Sequence, residues 1–170
     1  MLVSMITIMT KNQTEAEVKT KALLEKVLAE YNCPIFTNEV LIEHGAIPHS
    51  HPILTLNTRQ NELILILATF VHEQYHWFAT SHKQYINCIN YLKEAYTDLG
   101  DCNKSGNYPN SFWEHLIVCW NTRNFLEKNL TEQEVEFIYS QWQAYPLTEA
   151  FVKANFKEIE TNLQKFSMTY

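Results

Sequence analysis

Residues 63–78 read LILILATFVHEQYHWF, an apolar run that carries two histidines and a glutamate near its centre. Histidines four positions apart lie on one face of an α-helix, so the imidazoles of His72 and His76 can reach the same metal ion. Glu73 follows the first histidine and can hold a water that the metal binds. The spacing therefore predicts a helix that carries a metal site suited to hydrolysing a polar bond.

The polar residues of this segment fall on one stripe of the predicted helix. They recur at helical spacing and are Thr69, His72, Glu73, His76 and Thr80. The other sides are apolar, which is typical of a helix buried all round. Imidazoles and carboxylates buried without partners cost roughly 2 kcal/mol or more per group. A bound metal would offset this cost, and a hydrogen-bonded structural cluster is the alternative.

The HExxH motif of His72, Glu73 and His76 on a buried helix resembles the zincin metallopeptidases. The resemblance covers the motif, its helix and the strand predicted just before it, at residues 53–58. It implies that both histidines bind one Zn²⁺ ion per chain, that Glu73 is the general base, and that a peptide or protein is the substrate. In zincins the helix packs under a small mixed sheet whose edge strand pairs with the extended substrate, and residues 53–58 are the candidate for that strand.

Zinc needs a third protein ligand, and three candidates follow the motif. His82 has the spacing of the longer metzincin motif, but Ala79 stands where that motif has a glycine to turn the chain. Glu114 and His115 lie near the start of a later apolar helix, which is the gluzincin arrangement. The S-x-x-E pattern at residues 111–114 predicts a capping box that occupies Glu114. We therefore rank His115 first, Glu114 second and His82 third.

Length and composition predict one domain over residues 1–170. Thirteen basic and nineteen acidic residues give a net charge of −6 without a basic stripe, which argues against nucleic acid and anionic membranes as partners. The four cysteines include no CxxC pair and are predicted to be reduced thiols. The apolar residues 1–9 lack a basic n-region and are too short to span a bilayer. A cytoplasmic protein is the expectation, and its oligomeric state stays open.

The predicted fold is α+β, a small β-sheet packed on a mostly helical, zincin-like domain with the HExxH helix buried. Strands are expected within residues 1–9, 35–42 and 53–58. Capping boxes at Thr14 and Thr131 mark two helix starts. Besides the motif helix, helices are expected from Thr14 to about residue 32 and near 82–98, 111–129, 132–144 and 147–166, with a turn-rich loop at 98–110.

Several other polar residues have weaker functional interpretations. His49 and His51 precede the candidate edge strand and could contact substrate, although exposed loop histidines are the simpler interpretation. Tyr145 could donate to an oxyanion or pack in the core. Arg59 and Arg123 could hold a substrate carboxylate or cover the ends of secondary structure.

Two other classes of protein fit the motif. Glu73 and His76 also form the E-x-x-H pattern of dinuclear helical bundles, but we find no second E-x-x-H in the chain, which favours a mononuclear site. A non-catalytic module that binds a metal or a protein partner on a zincin scaffold is the other alternative.

Overall fold

The computed structural model describes residues 6–97, 111–142 and 145–170, which form a small sheet and a larger set of helices. The strands are β1 (Thr7–Thr10), β2 (Glu39–Ile42) and β3 (Leu54–Leu56). The helices are α1 (Glu15–Glu30), α2 (Leu63–Ser81), α3 (Tyr85–Ala95), α4 (Ser111–Asn129), α5 (Glu132–Gln141), α6 (Pro146–Ala154) and α7 (Phe156–Gln164). This mostly helical arrangement with one small sheet confirms the α+β prediction, and the predicted loop at 98–110 lies outside the described residues.

The three strands form a parallel sheet in the order β1-β2-β3. Helix α1 joins β1 to β2 and packs against both, which lets the second strand run parallel to the first. Its start is the predicted capping box, in which Thr14 accepts from the Glu17 amide and the Glu17 carboxylate accepts from the Thr14 amide. The sheet is therefore a βαβ unit extended by β3, whereas the zincin resemblance implied a mixed sheet.

The outer edge of β3 is already paired within the chain. Thr55 donates its amide to the His49 carbonyl at 2.7 Å and accepts from the His49 amide at 3.1 Å. Thr55 is the central residue of β3, so the outward-facing backbone groups at this point are satisfied. An extended substrate can add to β3 at Thr55 only by displacing His49, so the pairing expected from the zincin resemblance does not fit this edge.

Helix α2 is the centre of the fold and packs against α1, α3, α4, α5 and β3. Its most extensive contact is with α4, and both helices contribute to one hydrophobic core that includes Phe70, Tyr75 and Trp120. The fully buried Gln74 accepts from the amides of Phe36 and Thr37 and donates to the Thr37 carbonyl. The motif helix is thereby fixed to the segment before β2 as well as to α4.

Two helix boundaries differ from the prediction. Helix α3 begins at Tyr85 with Gln84 at its N-cap, later than the start predicted near residue 82, because α2 continues to Ser81 and His82 is its C-cap. The helix predicted over 147–166 is split into α6 and α7 at Asn155, where the backbone leaves helical geometry (φ −120°, ψ 25°). The Asn155 side chain donates to the Phe151 carbonyl, a local bond that competes with helix continuation. The predicted capping box at Thr131, which opens α5, is confirmed.

None of the helices in the described ranges is both long enough and apolar enough to cross a membrane.

Candidate metal centre

Helices α2 and α4 bring three histidines together in the core. One ligand atom from each of His72, His76 and His115 lies within 4.8 Å of the other two, and all three residues are buried. Their ring centroids are 4.8 to 5.9 Å apart. Within the part of the chain that the structure describes, this is the one group of histidine, cysteine or acidic residues placed to hold a metal ion. The candidate ranked first from the sequence, His115, is the one that joins the motif pair.

The chemistry of this group fits a zinc ion. Three imidazoles are a common donor set for zinc, and tetrahedral bonds of about 2.1 Å place ligand atoms roughly 3.4 Å apart. The nitrogens, within 4.8 Å of one another, need only a modest contraction to reach this spacing. Burial lowers the pKa of His72 well below its usual value, and His76 and His115 lower it further. His72 is therefore neutral, which is the form that binds metals.

A buried polar atom also favours a bound ion at this position. Nδ1 of His72 is inaccessible to solvent and has no hydrogen-bond partner among the described residues. A buried nitrogen without a partner costs on the order of 1–3 kcal/mol. A cation bound through this nitrogen would supply the missing partner.

Glu114 lies beside the histidines and supports one of them. Its Oε1 atom is 2.7 Å from Nδ1 of His76, and its Oε2 atom accepts from the Tyr85 hydroxyl at 2.6 Å. Burial alone would raise the pKa of Glu114, but hydrogen bonds from His76 and Tyr85 and the nearby imidazoles bring it below its usual value. The ionised carboxylate fixes the His76 ring with Nε2 available to a metal, as outer carboxylates do in zinc sites.

This arrangement revises the role predicted for Glu114. The sequence assigned its carboxylate to a capping box with Ser111, whose side chain lies outside the described part of the chain. The structure gives the carboxylate oxygens to His76 and Tyr85. The third candidate, His82, is the C-cap of α2, where its Nδ1 accepts from the Gln84 amide, and it lies outside the histidine group.

Glu73 adjoins the first histidine and is only 6% exposed. Burial raises the pKa of its carboxyl to about 7, while the nearby imidazoles of His76 and His49 oppose this shift. A carboxyl with a pKa near neutrality can both accept and return a proton at physiological pH. This pKa is compatible with the general-base role that the zincin resemblance implies for Glu73.

Two aromatic residues cover the histidines from the segment between α5 and α6. The ring of Tyr145 lies 3.8 Å from that of His115, and the ring of Trp142 lies 4.9 Å from that of His72. Burial raises the pKa of Tyr145 to about 12, and the negative charge of Glu73 contributes, so its hydroxyl stays protonated. Trp142 is not among the site residues predicted from the sequence, because nothing in its neighbours reveals that α5 ends at the site.

The other polar residues that the sequence singled out do not belong to the three-histidine group. His51 stacks on Trp77, with ring centroids 4.1 Å apart. Burial and the nearby His76 imidazole lower the pKa of His51, against the opposing effect of Glu114. His49 is exposed and its Nδ1 is 2.8 Å from the Ile47 carbonyl. Neither of these two histidines belongs to the three-histidine group. Arg59 is exposed, whereas Arg123 is buried in a separate polar cluster.

Comparison of the chain with family models, with curated proteins and with solved structures yields no match.

Proposed function

We propose that this protein is a zinc-dependent hydrolase that cleaves a peptide or amide bond. The observation that carries the proposal is the convergence of His72, His76 and His115 next to the buried carboxyl of Glu73. Three neutral nitrogen ligands leave a fourth zinc position for water or substrate, which distinguishes a catalytic site from a closed structural one.

Each residue has a defined role in this proposal. A zinc ion held by the three histidines supplies a Lewis acid that polarises the substrate carbonyl and acidifies water. Glu73 accepts the proton of the attacking water and passes it to the leaving amine. Tyr145, which is protonated and packs on His115, is our candidate donor to the oxygen that gains charge. Glu114 holds the His76 ring in the orientation for metal binding.

The substrate in this proposal does not extend the sheet at Thr55. The backbone of His49 already occupies that part of the β3 edge. The substrate is therefore expected to be positioned mainly by side chains around the histidines, with Trp142 and Tyr145 on one side. A peptidase that works in this way would be selective and would cleave few generic protein substrates.

The test compares the zinc-loaded protein with its Glu73→Gln variant on a mixed peptide library, with products identified by mass spectrometry. We expect the native protein to cleave a subset of peptides and the variant to be slower by roughly 10²- to 10⁴-fold, the usual contribution of a general base. The variant should keep its zinc. The matched control is Glu94→Gln, which changes an exposed glutamate on α3 and should leave cleavage unchanged. Equal rates in the native protein and Glu73→Gln would refute the proposed role of Glu73.

The same zinc-loaded protein and peptide library distinguish a hydrolase from the two alternatives, a dinuclear helical bundle and a non-catalytic binding module. A dinuclear helical bundle would bind two metal ions per chain, whereas the single three-histidine group found in the described ranges supports one. A binding module would hold zinc and leave every peptide of the library intact.

A further inference from the structure

A second polar site lies where α5 and α6 flank α4, beyond the histidines. Two cavities of about 340 Å³ and 560 Å³ meet here and share Arg123 and Lys153 in their walls. Both α5 and α6 pack on α4, and Arg123 projects from α4 between them. The smaller cavity is also lined by Tyr139, Trp142 and Glu149. Its volume is within the range of small-molecule sites.

Arg123 is a buried guanidinium whose donors are incompletely used. Its side chain is 5% exposed, and its Nη1 atom donates to Glu127 at 3.2 Å. The Nη2 atom is 3.7 Å from Glu149, which is an ion-pair distance but too long for a hydrogen bond. Nε is buried and has no hydrogen-bond partner among the described residues. A guanidinium carries five N–H donors, so this one can donate to a further acidic partner.

Two neighbours of Arg123, Tyr139 and Glu149, affect how many hydrogen-bond donors and negative charges the pocket contains. The guanidinium lies 3.9 Å over the ring of Tyr139, whose buried hydroxyl also has no hydrogen-bond partner within the described ranges. Burial and the charge of Glu149 raise the pKa of Tyr139 well above its usual value, so the hydroxyl remains a donor. Burial raises the pKa of Glu149 to about 7, against the opposing effects of Cys119 and Arg123. Near neutral pH, the pocket therefore contains less negative charge than its residue types suggest.

We propose that the smaller cavity binds an organic carboxylate, which accepts hydrogen bonds from the Arg123 guanidinium and the Tyr139 hydroxyl. Both side chains must turn toward the ligand, because Nε of Arg123 and the Tyr139 hydroxyl are inaccessible to solvent in this structure. The smaller cavity is lined by two cations, Arg123 and Lys153, and one acid, Glu149, so its charge suits one further negative charge better than a dianion such as phosphate. The apolar side chains of Trp142 and Pro146 in the wall suit the organic part of the ligand. Charge-assisted hydrogen bonds to a buried guanidinium would fix the orientation of the carboxylate and increase its affinity.

The pocket and the three-histidine group share helix α4. Arg123 follows His115 by eight residues on α4, which corresponds to about 12 Å along the helix. Trp142 lines the pocket and contacts the ring of His72. The carboxylate has two possible sources, the C-terminus of a short peptide and a free small organic acid. The first source rests on the proposed hydrolase function, whereas carboxylate binding itself does not.

The experiment is a calorimetric titration of the full chain with three probes. They are N-acetyl-trialanine, the same peptide with an amidated C-terminus, and propionate. We expect at least one free acid to bind and the amidated peptide to bind at least tenfold more weakly. Binding of the peptide acid alone would assign the site to a chain terminus, and comparable binding of propionate would assign it to small acids; both support the carboxylate site. Failure of both acids to bind, or equal binding of acid and amide, would overturn it.

Variants place the binding in this pocket. Arg123→Gln should abolish binding of the acid, and Tyr139→Phe, which removes only a hydroxyl, should weaken it about five- to tenfold. The control Lys157→Gln changes an exposed lysine that lines only the larger cavity and should bind as the native protein does. His72→Ala, which disrupts the metal centre, should retain binding, so the carboxylate site and the hydrolase proposal fail independently. Unchanged affinity in Tyr139→Phe and in folded Arg123→Gln would refute the proposal.

Discussion

Nδ1 of His76 lies 2.7 Å from Oε1 of Glu114, and this contact joins the motif helix to α4 beside the three histidines. The Glu114 carboxylate, itself a candidate ligand from the sequence, instead holds the ring of His76, one of the three ligands that we propose. Tyr85 of α3 holds its other oxygen, so three helices determine the direction of a single imidazole. In zinc sites such outer contacts set the tautomer and the basicity of the ligand.

The contact between Glu114 and His76 should strengthen zinc binding. Glu114→Ala should weaken zinc binding by about 10- to 100-fold without abolishing it, because it removes the acceptor that fixes His76 while leaving three ligands. Tyr85→Phe should have a smaller effect in the same direction. Zinc affinity is measured by competition with a chromophoric chelator. Tyr91→Phe, on the same helix but bonded to Asn162, is the matched control and should match the native affinity. Complete loss of zinc in Glu114→Ala would indicate that Glu114 is itself a ligand.

The second prediction concerns the anchor of the motif helix. Gln74→Ala should lower the free energy of unfolding by about 2–4 kcal/mol, because the amides of Phe36 and Thr37 lose their acceptor in a partly buried position. Urea denaturation measures this change. Gln133→Ala, an exposed position on α5, should stay within about 0.5 kcal/mol of the native protein. A small effect at Gln74 would mean that the segment before β2 is held by other contacts.

The third prediction concerns pH and Glu149. Its pKa is about 7 in the folded protein and near 4.5 in the unfolded chain, so the folded state binds more protons between these values. The contribution of Glu149 to stability is therefore complete below about pH 4.5 and is lost as pH rises through 7. Glu149→Gln removes this loss and should be more stable than the native protein at pH 8, by at most about 3 kcal/mol.

Urea unfolding of the native protein and of Glu149→Gln at several pH values tests this prediction. The difference between their free energies of unfolding cancels the contributions of the other titrating groups, including His72. The native protein and Glu149→Gln should converge toward pH 4.5 and diverge as the pH is raised. A constant difference across this range would show that Glu149 is ionised in the folded protein throughout.

The local features of the fold were predictable because they depend on neighbouring residues. The capping boxes at Thr14 and Thr131 appear where the sequence places them. The four-residue spacing of His72 and His76 puts both imidazoles on one face of α2, since the helical repeat is a local property. The break at Asn155 was missed, because an asparagine inside an otherwise amphipathic stretch can either continue the helix or bond its own backbone.

The parts that depend on packing between distant segments were harder to predict. His115 was preferred to Glu114 on the argument of a local capping box, yet the structure occupies Glu114 through His76 and Tyr85, which lie on other helices. The pairing of Thr55 with His49 also escaped prediction, because the loop before β3 carries no strand pattern. The cavity at Arg123 arises only when α5 and α6 meet α4.

The most direct test of the account is the metal content of four purified proteins, the native chain and the variants His72→Ala, His115→Ala and His82→Ala, after equilibration with zinc and removal of the excess. We predict about one zinc ion per chain in the native protein and in His82→Ala, and much less than one in His72→Ala and His115→Ala. Full occupancy in His115→Ala would remove α4 from the metal centre. No zinc in the native protein would contradict the central claim that His72, His76 and His115 form a zinc site.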